Sequence, residues 1–175
     1  MSRSLIISAL SASSLVIASA APAAPALERQ LHMKSIADSA KIIGELFGEK
    51  RPYSQQEFRV AADNIRAYSG QRLVESFQGE PQADSKADAE AIASSMDEFA
   101  RLATEMELYA SALSSAADRN PSGLGPETRM GGTMLGSPFG RKADAARDAT
   151  AVPPEHAYHL MLQTCTSCHA RFRRP

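Results

Sequence analysis

Ile92, Met96, Phe99, Ala103, Met106, Ala110, Leu113 and Ala117 recur at alternating steps of four and three. Among regular structures only an α-helix gathers that spacing on one side. A seam of this length has to be covered by other helices. Ser85 with Asp88 resembles a capping box at its start. Three more segments carry the same period. The spacing predicts a helix from about Leu27 to Phe47, ending near Gly48, with Arg29, Met33, Ile36, Ala37, Ala40, Ile43 and Phe47 on one face. A second opens on the box Ser54-Gln55-Gln56-Glu57 after Pro52 and carries Phe58, Ala61, Ala62 and Ile65. Gly70 weakens its continuation through Leu73 and Phe77 by about 1 kcal/mol relative to Ala, and Gly79 and Pro81 end it. The last begins at Pro153-Pro154-Glu155, with Pro suited to a first turn. Four amphipathic helices without strand-like alternation give an all-α expectation, an antiparallel four-helix bundle able to house a cofactor near one end.

On the last helix stands Cys165-Thr166-Ser167-Cys168-His169. Cys165 and Cys168 are three residues apart and His169 is four beyond Cys165, so one face presents two thiols and an imidazole. C-x-x-C-H is the signature of covalent c-type haem attachment. Other readings of these residues are poorer. Structural zinc needs four ligands, and adjacent Cys168-His169 with distant His32, His156 or His159 makes an awkward set. A thioredoxin-like dithiol needs a βαβ unit, for which the residues after Cys168 leave no room. A disulfide across three residues closes almost no loop. At roughly 100° per residue, Tyr158, Met161, Leu162, Cys168, His169 and Phe172 lie within about 60° of Cys165, which places the motif on the buried stripe.

The N-terminus reads as an export signal over residues 1–20: Arg3, an apolar and small-residue run from Leu5 to Ile17, and the cleavage pattern Ala18-Ser19-Ala20. Residues 21–26 then form a flexible mature N-terminus ahead of a bundle domain spanning 27–175. No other stretch is apolar enough to span a membrane, so the mature chain is expected to have no membrane span. Subtracting Arg3 from 19 Lys plus Arg leaves 18 against 20 Asp plus Glu, a charge near −2 with no nucleic-acid footprint. Only two cysteines are present, and in an oxidising compartment haem ligation would consume both. The stretch 119–153 holds six of the ten Gly and, with Pro154, five of the ten Pro. It is expected to be a long mobile loop, with a short helical turn at Lys142 to Ala149 and a role as a partner-docking flap.

Over roughly residues 27–118 and 153–174 the chain resembles the class II c-type cytochromes, the cytochrome c′ family. The likeness rests on Cys165-x-x-Cys168-His169-x-x-Phe172-Arg173 and on Arg29-Gln30-x-x-Met33-Lys34. The resemblance implies one covalent haem c with Cys165 and Cys168 as thioethers, His169 as proximal iron ligand, Arg173 on the proximal side, Arg29 near a propionate, and Met33 facing the iron distally. Gas-binding members of the family are five-coordinate with an aliphatic residue in the distal place, whereas the low-spin branch has Met and is six-coordinate. The residues alone leave Met33 open between core packing and ligation by a soft thioether. His32 competes, although it points about 100° away from Met33. Two departures stand out: the chain has no Trp, with Ala93 where the family often has one, and the 119–153 connection is long for the family.

The reading that follows is a periplasmic monohaem electron carrier, not an enzyme, with His169 and Met33 as iron ligands and exchange with redox partner proteins. Arg171, Arg173 and Arg174 either complement the helix dipole or meet an acidic partner. The alternative is a five-coordinate protein binding nitric oxide or carbon monoxide, with Met33 unligated. The resemblance is compatible with a homodimer through the first two helices without requiring one.

Overall fold

The computed structural model describes residues 25–78, 85–130 and 148–175. The export signal, residues 21–24, the helix stops Gly79 and Pro81, and most of the turn expected at Lys142 to Ala149 lie outside them. Among the described residues, six α-helical segments form the four arms of a bundle. α1 spans Pro25–Phe47, α2 Gln55–Ala67, α3 Gly70–Glu75, α4 Ala89–Ser94, α5 Met96–Arg119 and α6 Pro154–Phe172. The second arm is α2 with α3, and the third is α4 with α5. α5 is central, packing on α2, α3 and α6, while α1 lies mainly on α2.

Local chemistry sets most of these boundaries. Ser54 caps α2 by accepting from the Glu57 N–H at 3.3 Å. The arm then breaks rather than continuing through Gly70 as one helix. Gly70 adopts φ +60°, a conformation natural to glycine, and a Cβ there would overlap the Glu107 carboxylate. The capping expectation for the third arm is half corrected. Asp88, not Ser85, caps α4, accepting from the Ala91 N–H at 3.0 Å, while Ser85 Oγ accepts from the Ala87 N–H. A second break at Ser95 separates α4 from α5. α1 starts at Pro25 with Ala26 buried, so these two residues belong to the helix rather than to a flexible segment.

The heptad seam is the core. Ile92, Phe99, Ala103, Met106, Ala110, Leu113 and Ala117 are buried, and Met96 is half-buried. Leu102, Tyr109, Ala112 and Ala116 are buried too, because a helix covered on three sides needs a wider stripe than one seam. Ile43, Phe58, Ile65 and Met161 fill the centre from the other arms. Ala37, expected on the inner face of α1, is exposed.

The C-terminus of α1 adjoins the N-terminus of α6, and both are tied to the segment after α5. Arg129 donates to the Phe47 carbonyl and pairs with Glu49 at 2.8 Å and Glu155 at 3.7 Å. The Met130 N–H donates to Glu155 at 2.7 Å, and Thr128 is buried. Residues 120–130 are therefore anchored and include a 3-10 turn at Pro126–Thr128, which corrects the expectation of mobility for this part of the loop. It also lies at the end of the bundle opposite Cys165-His169.

Candidate haem site

α6 meets α1 narrowly, through Tyr158. Its hydroxyl donates to the Ala40 carbonyl at 3.0 Å, its ring lies 5.8 Å from that of Phe47, and Gly44 gives it room. From this antiparallel crossing, Cys165 is seven residues along α6 and Met33 seven back along α1. At 1.5 Å per residue both stand about 10 Å from it, and Arg29 and His169 both about 16 Å. The register thus sets Met33 level with Cys165 and Arg29 level with His169.

Cys165 and Cys168 are free, half-buried thiols packed against the core. Cys165 Sγ lies 3.6 Å from Met106 Sδ on α5. Burial pushes the Cys165 thiol up, against a backbone hydrogen bond that lowers it. Burial and then the neighbouring Cys165 push Cys168 up to about 11. The His169 imidazole is held below its ordinary value, by desolvation first and by the Arg173 charge second. At neutral pH the face therefore presents two protonated thiols and a neutral imidazole with a lone pair to offer. That donor set fits haem c: thiols at i and i+3 for two thioethers, and an imidazole at i+4 as an axial ligand.

His169 itself is exposed, as are Thr166 and Ser167. The buried stripe of α6 runs through Ala157, Leu160, Met161, Thr164 and Phe172, so the motif straddles its edge rather than sitting on its centre. The cause is tertiary. α6 packs on α5 and crosses α1 only near Tyr158, which leaves the α1-side flank of its C-terminal half uncovered.

The α1 residues form a second group. Arg29, His32 and Met33 line a cleft of about 370 Å³ with Glu28, Tyr68, Arg72 and Ser76. Met33 is half-buried and packed against the core. His32 stacks on Tyr68 with ring centroids 4.1 Å apart, and its Nε2 lies 3.8 Å from Glu28. Arg29 donates to the Ser76 carbonyl at 2.9 Å and lies over the Phe77 ring at 4.9 Å. A row of rings connects this group to the motif: Phe77 on Phe99 at 5.1 Å and Phe99 on Phe172 at 5.3 Å, both edge to face.

The last turn of α6 is sewn to residues 85–99. The Asp88 N–H donates to the Phe172 carbonyl at 2.9 Å, Ala87 and Arg173 form an antiparallel bridge, and the Arg174 N–H donates to the Lys86 carbonyl at 2.8 Å. Arg171 pairs with Glu98 at 2.9 Å and donates to Ser95 Oγ at 3.1 Å. Arg173 is exposed. His156 is half-buried and His159 is exposed. Tyr68, Arg72 and Met106 carried no signal as site residues in sequence. The break at Ser69-Gly70, which turns Arg72 toward α1, is a tertiary event.

A helical bundle with a C-x-x-C-H motif on its last helix and a cation and a thioether level with it on its first defines a candidate c-type haem protein. Residues 25–130, more than half of the chain, match the family described as Cytochrome C′. The chain belongs to that family, which implies haem c binding. Its fold is similar to that of cytochrome c prime from Shewanella frigidimarina, at 22% identity over 87% of this chain and 98% of that one, with a TM-score of 0.59. Cytochrome c′ from Thermochromatium tepidum is similar at 17% identity over 90% and 100%, also with a TM-score of 0.59. At these identities the likeness is one of fold. No curated protein matches the sequence. No helix among the described residues is long and apolar enough to cross a membrane.

Proposed function

We propose that this chain is an exported monohaem cytochrome c′ that binds a small gas such as nitric oxide or carbon monoxide, with Met33 acting as distal packing. The family match carries this reading, and Met33 supports it by being packed against the core. When bound, the haem supplies an iron whose axial ligand and distal surroundings decide between gas binding and electron transfer. Cys165 and Cys168 would tether it, and His169, held below its ordinary pKa by desolvation and then by Arg173, would offer a neutral ring nitrogen to the iron. Met33 narrows the distal side. Arg29, level with His169, brings a positive charge suited to a carboxylate. His32 is withdrawn from competition by its stack on Tyr68. The N-terminal export pattern and the use of both cysteines support a periplasmic location.

A second reading, an electron carrier with Met33 as sixth ligand, is favoured by the register that sets Met33 level with Cys165. Absorbance spectra of the matured protein, ferric and ferrous, with and without carbon monoxide, separate the two. A gas-binder gives a high-spin ferrous spectrum that shifts on gas addition and changes little in Met33→Leu. Sharp low-spin bands indifferent to the gas, and lost in Met33→Leu, would make the protein a carrier.

A further inference from the structure

We propose that Arg171, clamped to the start of α5 by Glu98 and Ser95, is the positioning residue for His169. This rests on the haem reading above. His169 projects from the uncovered flank of α6, where no packing stripe holds it, yet an axial ligand must keep a fixed direction. The constraint comes from the turn that follows. Arg171 reaches two groups at once, Glu98 at 2.9 Å and Ser95 Oγ at 3.1 Å, and a planar guanidinium joined to two acceptors resists rotation as a single ammonium does not. Its partners sit where the third arm breaks, between α4 and α5. Phe172, at the same helix end, meets Phe99 edge to face. The backbone bonds to Lys86 and Asp88 stop the helix from unwinding beyond it. Rotation of the last turn of α6 about its axis, the motion that would turn His169 away, is therefore opposed by the Arg171 fork together with the Phe172 contact and these backbone bonds.

An exposed ion pair contributes little to global stability, and these side chains are 54% and 41% exposed, so variants here are expected to fold. The test uses the haem-loaded protein and Glu98→Gln, Arg171→Gln, Arg171→Lys and the charge swap Glu98→Arg with Arg171→Glu. The readouts are the midpoint potential and the hyperfine-shifted His169 ring resonances of the ferric protein. Arg59→Gln, which breaks a pair with Asp118 at the other end of α5, is the control. Positioning predicts that Glu98→Gln and Arg171→Gln shift the potential in the same direction and move the ring resonances. Arg171→Lys is then intermediate, the swap restores both readouts, and the control is silent. A purely electrostatic pair would shift the potential in opposite directions in the two Gln variants and leave the ring resonances in place, which overturns the proposal. So does the absence of any shift. Covalent haem missing from the wild-type protein on a haem-stained gel would instead sink the haem reading, and the inference with it.

Discussion

The Tyr109 hydroxyl is fully buried and, among the described residues, has no hydrogen-bond partner, and neither does the buried Oε2 of Glu105. Burial first, and Glu105 second, push its pKa up to about 12. Removing an unsatisfied hydroxyl from a core is neutral or favourable, so Tyr109→Phe is expected to be as stable as wild type at pH 7, or more stable by about 1 kcal/mol. In alkali the sign is fixed by linkage. Between the ordinary value of 10 and about 12 the unfolded tyrosine has lost its proton while the folded one keeps it, so stability falls as pH rises. The loss is on the order of 2–3 kcal/mol, and denaturant melts of both proteins from pH 9 to 12 would show it missing in Tyr109→Phe. At Gly70 the φ of +60° makes any side chain strained. Gly70→Ala is expected to cost roughly 1–2 kcal/mol, read from the same melts.

The crossing of α1 and α6 is the element-scale hinge of the site. Tyr158 fits there because position 44 has no side chain: a Cβ would lie 2.5 Å from the Tyr158 hydroxyl oxygen. Gly44→Ala is expected to destabilise despite the better helix propensity of Ala. Tyr158→Phe should cost about 1 kcal/mol through the lost bond to the Ala40 carbonyl. In the double variant the hydroxyl that clashes is gone, so the two costs should fall short of additive by roughly 0.5 kcal/mol or more. Full additivity in a double-mutant cycle would mean that the helices do not register through this contact. The helices themselves were legible in sequence, with α1, α2 and α6 beginning within two residues of expectation. The breaks at Ser69-Gly70 and Ser95 were not, because periodicity reports which residues want burial and says nothing of where two helices must diverge.

On the scale of the whole molecule the bundle has two unlike ends. One is closed by Arg129, which joins the C-terminus of α1, the segment after α5 and the start of α6. The other carries Cys165, Cys168 and His169. Arg129→Ala is expected to lower stability by about 1.5–3 kcal/mol, the range for hydrogen bonds to charged groups, while leaving the absorbance spectrum of the haem-loaded protein unchanged. A spectral change in that variant would mean that the two ends are coupled. The separation also explains why the chain can leave one flank of α6 open without losing its fold: the buried stripe on α5 and the anchored far end hold the helix.

By itself the sequence determined what is local. The step of four and three on α5, the cap at Ser54, and the spacing of Cys165, Cys168 and His169 each act within a turn or two of one helix. They made the all-α bundle and the C-x-x-C-H motif readable from residues alone. Tertiary structure decided which flank of α6 is covered, that His32 is spent on Tyr68, that Arg29 is held by Ser76 and Phe77, and that Arg171 is locked to Glu98. Each of these depends on where a second element passes. That is set by crossing angles and by the summed packing of side chains distant in sequence, quantities that no single segment encodes.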